Sequence, residues 1–166
     1  MLRHASLVVH DTARVARFLA ELLGAAAVHA PSPPFPADSW FVCRHDSVGT
    51  YLEVLPWGSV HDPSAHPGMS HDAAMRSLTG AHVLVSSPFD TETILATAGR
   101  ESWRVELADV GFFRVIKVWL ENATLVEFLP PEHEAAYLNT FGVSGRGIAL
   151  FRSAPREPDS SAGCRP

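Results

Sequence analysis

The chain has 166 residues, 46% of them hydrophobic and 19% charged, with a mean hydropathy of +0.07. Those proportions belong to an ordinary globular protein and exclude a disordered body, and no run of about 18 apolar residues supports a membrane span. A net charge of −5 and a pI near 5.9 exclude a broad basic surface for nucleic acid. With Cys43 and Cys164 as the only cysteines, a disulfide framework is not expected and a reducing, cytoplasmic setting is. The opening Met1-Leu2-Arg3-His4-Ala5 lacks the basic segment and apolar core of a signal peptide.

The first predicted element is a strand over residues 2–9, short and apolar. Asp11 can accept from the free amides of a following helix, predicted over 12–23 from the apolar spacing of Val15, Phe18, Leu19, Leu22 and Leu23. Gly24 ends that helix, since glycine tolerates the left-handed backbone just past a helix end. Strands are predicted over 39–44 and 49–55, with a weaker one over 26–30. The prolines at 31, 33, 34 and 36 make the intervening segment a loop. Residues 57–79 lack clear periodicity and read as a linker, with a short helix expected around 71–77. The order then repeats: a strand over 81–86, a helix over 91–100, and strands over 102–107, 112–120 and 124–129. A helix over 132–141 follows, then an extension to residue 152, and the Pro-, Ser- and Arg-rich residues 153–166 read as a mobile tail.

Residues 1–56 and 80–131 therefore read as two copies of strand–helix–three strands, an internal repeat with little identity between its halves. Four ionisable residues occupy equivalent places in it. His4 and His82 lie in the first strands, and Glu53 and Glu127 in the last, 49 residues apart in one half and 45 in the other. Taken singly, a strand histidine is usually a hydrogen-bonded core or edge residue, and a strand glutamate usually faces solvent. Their coincidence at repeat positions favours a joint role, because an ionisable group in an apolar strand is costly to bury unless paired or metal-bound. Two imidazoles and two carboxylates suit Zn, Ni, Mn, Co or Fe, and the lack of thiolates argues against a structural zinc site.

The run His4-Ala5-Ser6-Leu7-Val8-Val9-His10-Asp11, followed by Arg17-Phe18-Leu19-Ala20-Glu21-Leu22-Leu23-Gly24, resembles the start of vicinal oxygen chelate proteins. That superfamily includes glyoxalase I, bleomycin-resistance proteins and extradiol dioxygenases. The resemblance spans roughly residues 3–130. It implies an α+β fold of two βαβββ modules whose mixed sheets curl into a cup, with His4, Glu53, His82 and Glu127 as metal ligands. It also implies a metal-dependent lyase or isomerase that stabilises an enediolate-like anion of a small oxygenated substrate, with Glu53 or Glu127 as the proton-moving base. A homodimer is expected, with sites built within one chain or shared between two. Two other readings stay open: an Fe(II) ring-cleaving dioxygenase and a metal-free small-molecule binder.

His61, His66 and His71 lie five apart, which fits neither helix nor strand facing, and ordinary loop histidines are the favoured reading. Arg114 and Lys117 fall on opposite faces of one strand, so one of them can reach into the cup to hold an anionic substrate group, and a solvent-facing role is an equally favoured reading. The strand aromatics Trp40, Tyr51, Trp103, Phe113 and Trp119 read first as packing residues.

Overall fold

The structure is a computed structural model and describes residues 3–47, 49–61, 69–76 and 80–142. In the first module, β1 (His4–Val9) leads into α1 (Thr12–Leu23). Asp11 caps α1 by accepting from the Arg14 amide, and Gly24 closes it with φ of 57°. Then come β2 (Ala26–His29), β3 (Trp40–Cys43) and β4 (Tyr51–Pro56). A hairpin of β5 (Ser59–His61) and β6 (Met69–His71) separates this from the second module. That module runs through β7 (Val83–Ser86), α2 (Thr91–Arg100), β8 (Arg104–Asp109), β9 (Arg114–Leu120) and β10 (Thr124–Leu129), and α3 (Pro131–Phe141) follows.

Each module folds its strands in the same permuted order, β1-β4-β3-β2 and β7-β10-β9-β8. In each, the first and last strands pair in parallel and the remaining neighbours pair antiparallel. The fold is the expected α+β pair of βαβββ modules.

Side chains alternate across a strand, so each sheet has one face turned to the helices. Leu7, Val9, Val42, Leu52 and Val54 line that face in the first sheet; Ile116, Val118, Val126 and Phe128 line it in the second. With Val15, Phe18, Leu19 and Leu22 of α1 and Ile94 and Ala98 of α2 they form one continuous core. Phe18 crosses between modules, its ring edge-on to Trp103 at 4.8 Å and to Phe128 at 6.4 Å. Polar links follow the same seam. In the β9–β10 turn, Glu121 and Asn122 take positive φ (52° and 57°), and the Glu121 carboxylate accepts the His10 and Asp11 amides, each at 2.6 Å. The second module's hairpin thereby closes the β1–α1 corner of the first.

Several expectations need correction. Residues 57–79 are not a plain linker, because β5 and β6 pair within them; strands of three residues leave no readable periodicity. The helix expected around 71–77 is absent from the described residues, where β6 ends at His71 and a turn follows. The strand expected over 102–107 starts at Arg104, because Ser102 has φ of 59°, outside the extended region. The strand over 81–86 starts at Val83, which leaves His82 just ahead of it. The end of that expected helix at Ser77, together with His66, Cys164, the extension beyond Gly142 and the tail over 153–166, lies outside the described residues.

Candidate functional site

The faces turned away from the core carry the four candidate ligands. The parallel β1–β4 register sets His4 opposite Tyr51 and Ser6 opposite Glu53, so these four side chains share one face. In the second module Val83 pairs with Val126 and Leu84 with Glu127. One step back along that register, His82 falls opposite Leu125. Each histidine therefore stands opposite the residue two before its glutamate, in both modules.

The short distances follow from that register. His4 Nε2 lies 3.8 Å from Glu53 Oε1, and His82 Nε2 lies 3.7 Å from Glu127 Oε2. Both separations are too long for a hydrogen bond. The histidine side chains are about half exposed, at 49% and 46%, whereas the glutamates are only 8% and 15% exposed. Each pair is thus a shielded carboxylate beside an accessible imidazole.

The immediate surroundings differ between the pairs. Ser6 Oγ donates to Glu53 Oε2 at 2.6 Å, and the Tyr51 hydroxyl donates to Glu53 Oε1 at 3.3 Å. The Tyr51 ring also stacks on His4, with centroids 4.9 Å apart. Burial pushes the Tyr51 phenol above its ordinary range, and the Glu53 charge and their hydrogen bond push it further. Around Glu127 the neighbour is a cation: Lys117, its antiparallel partner on β9, brings Nζ to 3.9 Å from Oε1. Lys117 is therefore the basic residue of β9 that shares the glutamate's face, while Arg114 pairs with Asp109 at the strand start.

Among the described residues, no three His, Cys, Asp or Glu side chains gather closely enough to hold an ion together. The chain carries two separate His–Glu pairs instead of one four-ligand shell. Each pair fits a metal on donor chemistry and spacing. An ion about 2.0–2.2 Å from each donor can bridge a nitrogen and an oxygen 3.7 or 3.8 Å apart. Two donors make half of a usual coordination shell.

A cleft of about 270 Å³ adjoins the second pair, and its walls include His82, Ser6, Trp57, Met75 and Arg76. The last three belong to the segment read as a linker, so sequence reasoning missed them. The one available signal was an aromatic and an arginine within an otherwise polar, Pro- and Gly-containing stretch. His71 serves packing, its ring lying against Gly58 where a Cβ would come within 2.2 Å of it.

No protein-family model and no curated protein matches the chain. Solved structures do. The fosfomycin resistance protein FosX from Listeria monocytogenes, complexed with Mn(II) and sulfate, superposes with a TM-score of 0.54 at 14% identity, over 85% of this chain and 97% of that one. A monoclinic form of the same protein gives 0.52 at 13% identity, over 78% and 90%. A hypothetical protein from S. aureus gives 0.50 at 11% identity, over 78% and 96%. The FosX neighbours are vicinal oxygen chelate proteins, and the glyoxalase-like fold implied by the opening residues is the fold of this chain.

Proposed function

We propose that the chain is a metal-dependent enzyme of the vicinal oxygen chelate type, acting on a small oxygenated molecule as a lyase, isomerase or hydrolase. The observation that carries this reading is the repeated register: a histidine and a shielded glutamate at the same paired positions in both modules. The fold neighbours lend support, since Listeria FosX has been crystallised with Mn(II), and a Glu-to-Gln mutant of it with Mn(II) and 1S,2S-dihydroxypropylphosphonic acid, a small oxygenated molecule.

His4 and Glu53 would hold the ion from one side, and His82 and Glu127 from the other. Because the pairs stay apart within the chain, a full shell would join the first pair of one copy to the second pair of another in a homodimer. A divalent ion there supplies Lewis-acid stabilisation of negative charge on neighbouring substrate oxygens. The glutamates divide the remaining work. Glu53 is fixed by two hydroxyl donors, which suits a positioning ligand. Glu127 meets only the longer contacts to His82 and Lys117 among the described residues, so it is the less tightly held of the two and freer to move to a proton. Lys117 beside it would neutralise an anionic substrate group.

A metal-free binding protein is the second reading. Ser6, Tyr51 and Lys117 already compensate both carboxylates without an ion, and the cleft beside His82 offers room for a ligand. Metal content of protein purified without an affinity tag separates the two readings. Bound divalent ion, or a rise in melting temperature with added Mn(II), Zn(II), Ni(II), Co(II) or Fe(II), is expected. No bound ion and no rise would turn the assignment to the metal-free reading.

A further inference from the structure

One wall of the cleft beside His82 is built by chain that lies outside the repeat. β4 ends at Pro56, opposite Val9 in the parallel register, and one step further Trp57 falls opposite His10. The two rings stack there, with centroids 4.3 Å apart and planes 23° from parallel. The Glu121 carboxylate accepts the His10 amide at 2.6 Å, so the stack is tied to the second module as well. The β5–β6 hairpin then returns the chain to the same place. The Asp72 amide donates to the Gly58 carbonyl at 2.7 Å, and the Asp72 carboxylate accepts the Ala74 amide at 2.8 Å. That turn delivers Met75 and Arg76 to the cleft that Trp57 lines. In the second module the residue four past the glutamate is Pro131, where α3 starts, so the chain coils into a helix where the first module forms this wall.

We propose that Trp57, Met75 and Arg76 select the substrate, a single aromatic ring bearing a carboxylate. The carboxylate sits on Arg76, the ring lies against Trp57 and Met75, and the reacting oxygens point to His82. Arginine gives a carboxylate charge-assisted and bidentate bonds. Arg76 is exposed, and among the described residues no carboxylate and no second arginine or lysine lines the cleft with it. Lys117 stands apart, beside Glu127. A tryptophan and a thioether both favour an aromatic partner, and Val8 and Val83 complete an apolar surround. The size agrees: a dry cavity of about 150 Å³ accepts benzene, so the cleft of about 270 Å³ holds one substituted ring. The proposal rests on the function proposed above only for the reacting end at His82; none of the three anchoring residues is a candidate metal ligand.

Phenylacetate is a suitable probe, titrated by calorimetry into full-length protein, both EDTA-treated and Mn(II)-loaded. Binding is expected in both states, with the Trp57 indole N–H signal shifting in NMR spectra of the EDTA-treated sample. 2-Phenylethanol keeps the ring without the charge, and acetate keeps the charge without the ring; each should bind at least about tenfold more weakly. Arg76→Gln should weaken phenylacetate about tenfold, and Trp57→Leu about threefold. Arg17→Gln, at an exposed position of α1 outside the cleft, should leave the affinity unchanged. The proposal is overturned if phenylacetate binds neither state, if 2-phenylethanol or acetate binds as tightly, or if Arg76→Gln keeps wild-type affinity. A melting-temperature rise with Mn(II) reports on the metal separately. Phenylacetate binding without that rise supports the anchor and removes the metal, and the rise without phenylacetate binding does the reverse.

Discussion

Ser6 stands directly across the parallel β1–β4 pair from Glu53 and donates its hydroxyl hydrogen to it at 2.6 Å, whereas the equivalent residue facing Glu127 is Leu84. The two modules thus present the same pair of ligand types on the same backbone register but solvate the carboxylates differently. One glutamate is tied to hydroxyls, and the other leans on a lysine. The division of labour proposed for the two glutamates rests on that difference.

Removing the Ser6 hydroxyl tests how firmly Glu53 is held. Ser6→Ala should cost about 1–3 kcal/mol, the scale for a hydrogen bond to a shielded charged group. Urea unfolding at neutral pH reads this directly. A variant as stable as the wild type would show that the hydroxyl does not carry the carboxylate.

Mixing two damaged chains tests whether the metal site is shared. Glu53→Gln and Glu127→Gln should each lower metal affinity at least about tenfold, as even changes behind the ligands commonly do. Co-refolded together, they form mixed dimers in which one site receives both altered pairs and the other receives both intact pairs. Metal titration should then recover one tight site per mixed dimer. Recovery of none would mean that pairs from two copies do not meet.

Phe18 joins the modules, buried at 3% exposure and edge-on to Trp103 and Phe128 of the other half. Phe18→Ala should cost about 3–5 kcal/mol, from lost burial plus the cavity left behind. Because the ring serves both halves, thermal unfolding of the variant should remain one transition at a lower temperature. Two separated transitions would show that the halves hold together without it.

Asp90 gives a pH test away from the ligands. It caps α2, and hydrogen bonds from the Thr93 side chain and then the Thr93 amide hold its carboxyl below the usual aspartate range. A depressed folded-state value adds stability above the unfolded value and loses it as pH falls through the folded one. Asp90→Ala should therefore be less stable than wild type at pH 7, and the gap should narrow on acidification below about 3.9. A gap constant from pH 7 to pH 3 would contradict the cap.

Much of this was legible in the residues themselves. Asp11 and Gly24 bracket α1 where their chemistry places a start and a stop, and the apolar strands fall where their β-branched runs are. The His–Glu pairs were legible because a repeated fold turns equal sequence spacing into equal spatial register. Whether the two pairs meet in one shell was not, because spacing within a module says nothing about which module faces which. The walls at Trp57 and Arg76 escaped because they hang on strands of three residues, too short for alternation to show. His82 was read as a strand residue because Ala81 and Val83 flank it with apolar character, yet the pairing begins only at Val83.

The parallel pairing of first with last strand also sets an order of events during synthesis. Ser6 and Glu53 meet across 47 residues of chain, so the first His–Glu pair cannot form until β4 has left the ribosome. The second half waits for β10, and the Glu121 turn that closes the first module's corner emerges just before it. A nascent chain halted after Pro56 would hold the first His–Glu pair without its clamp and with half of its core uncovered. The two His–Glu pairs therefore form in two instalments as translation proceeds, and the second one locks the first.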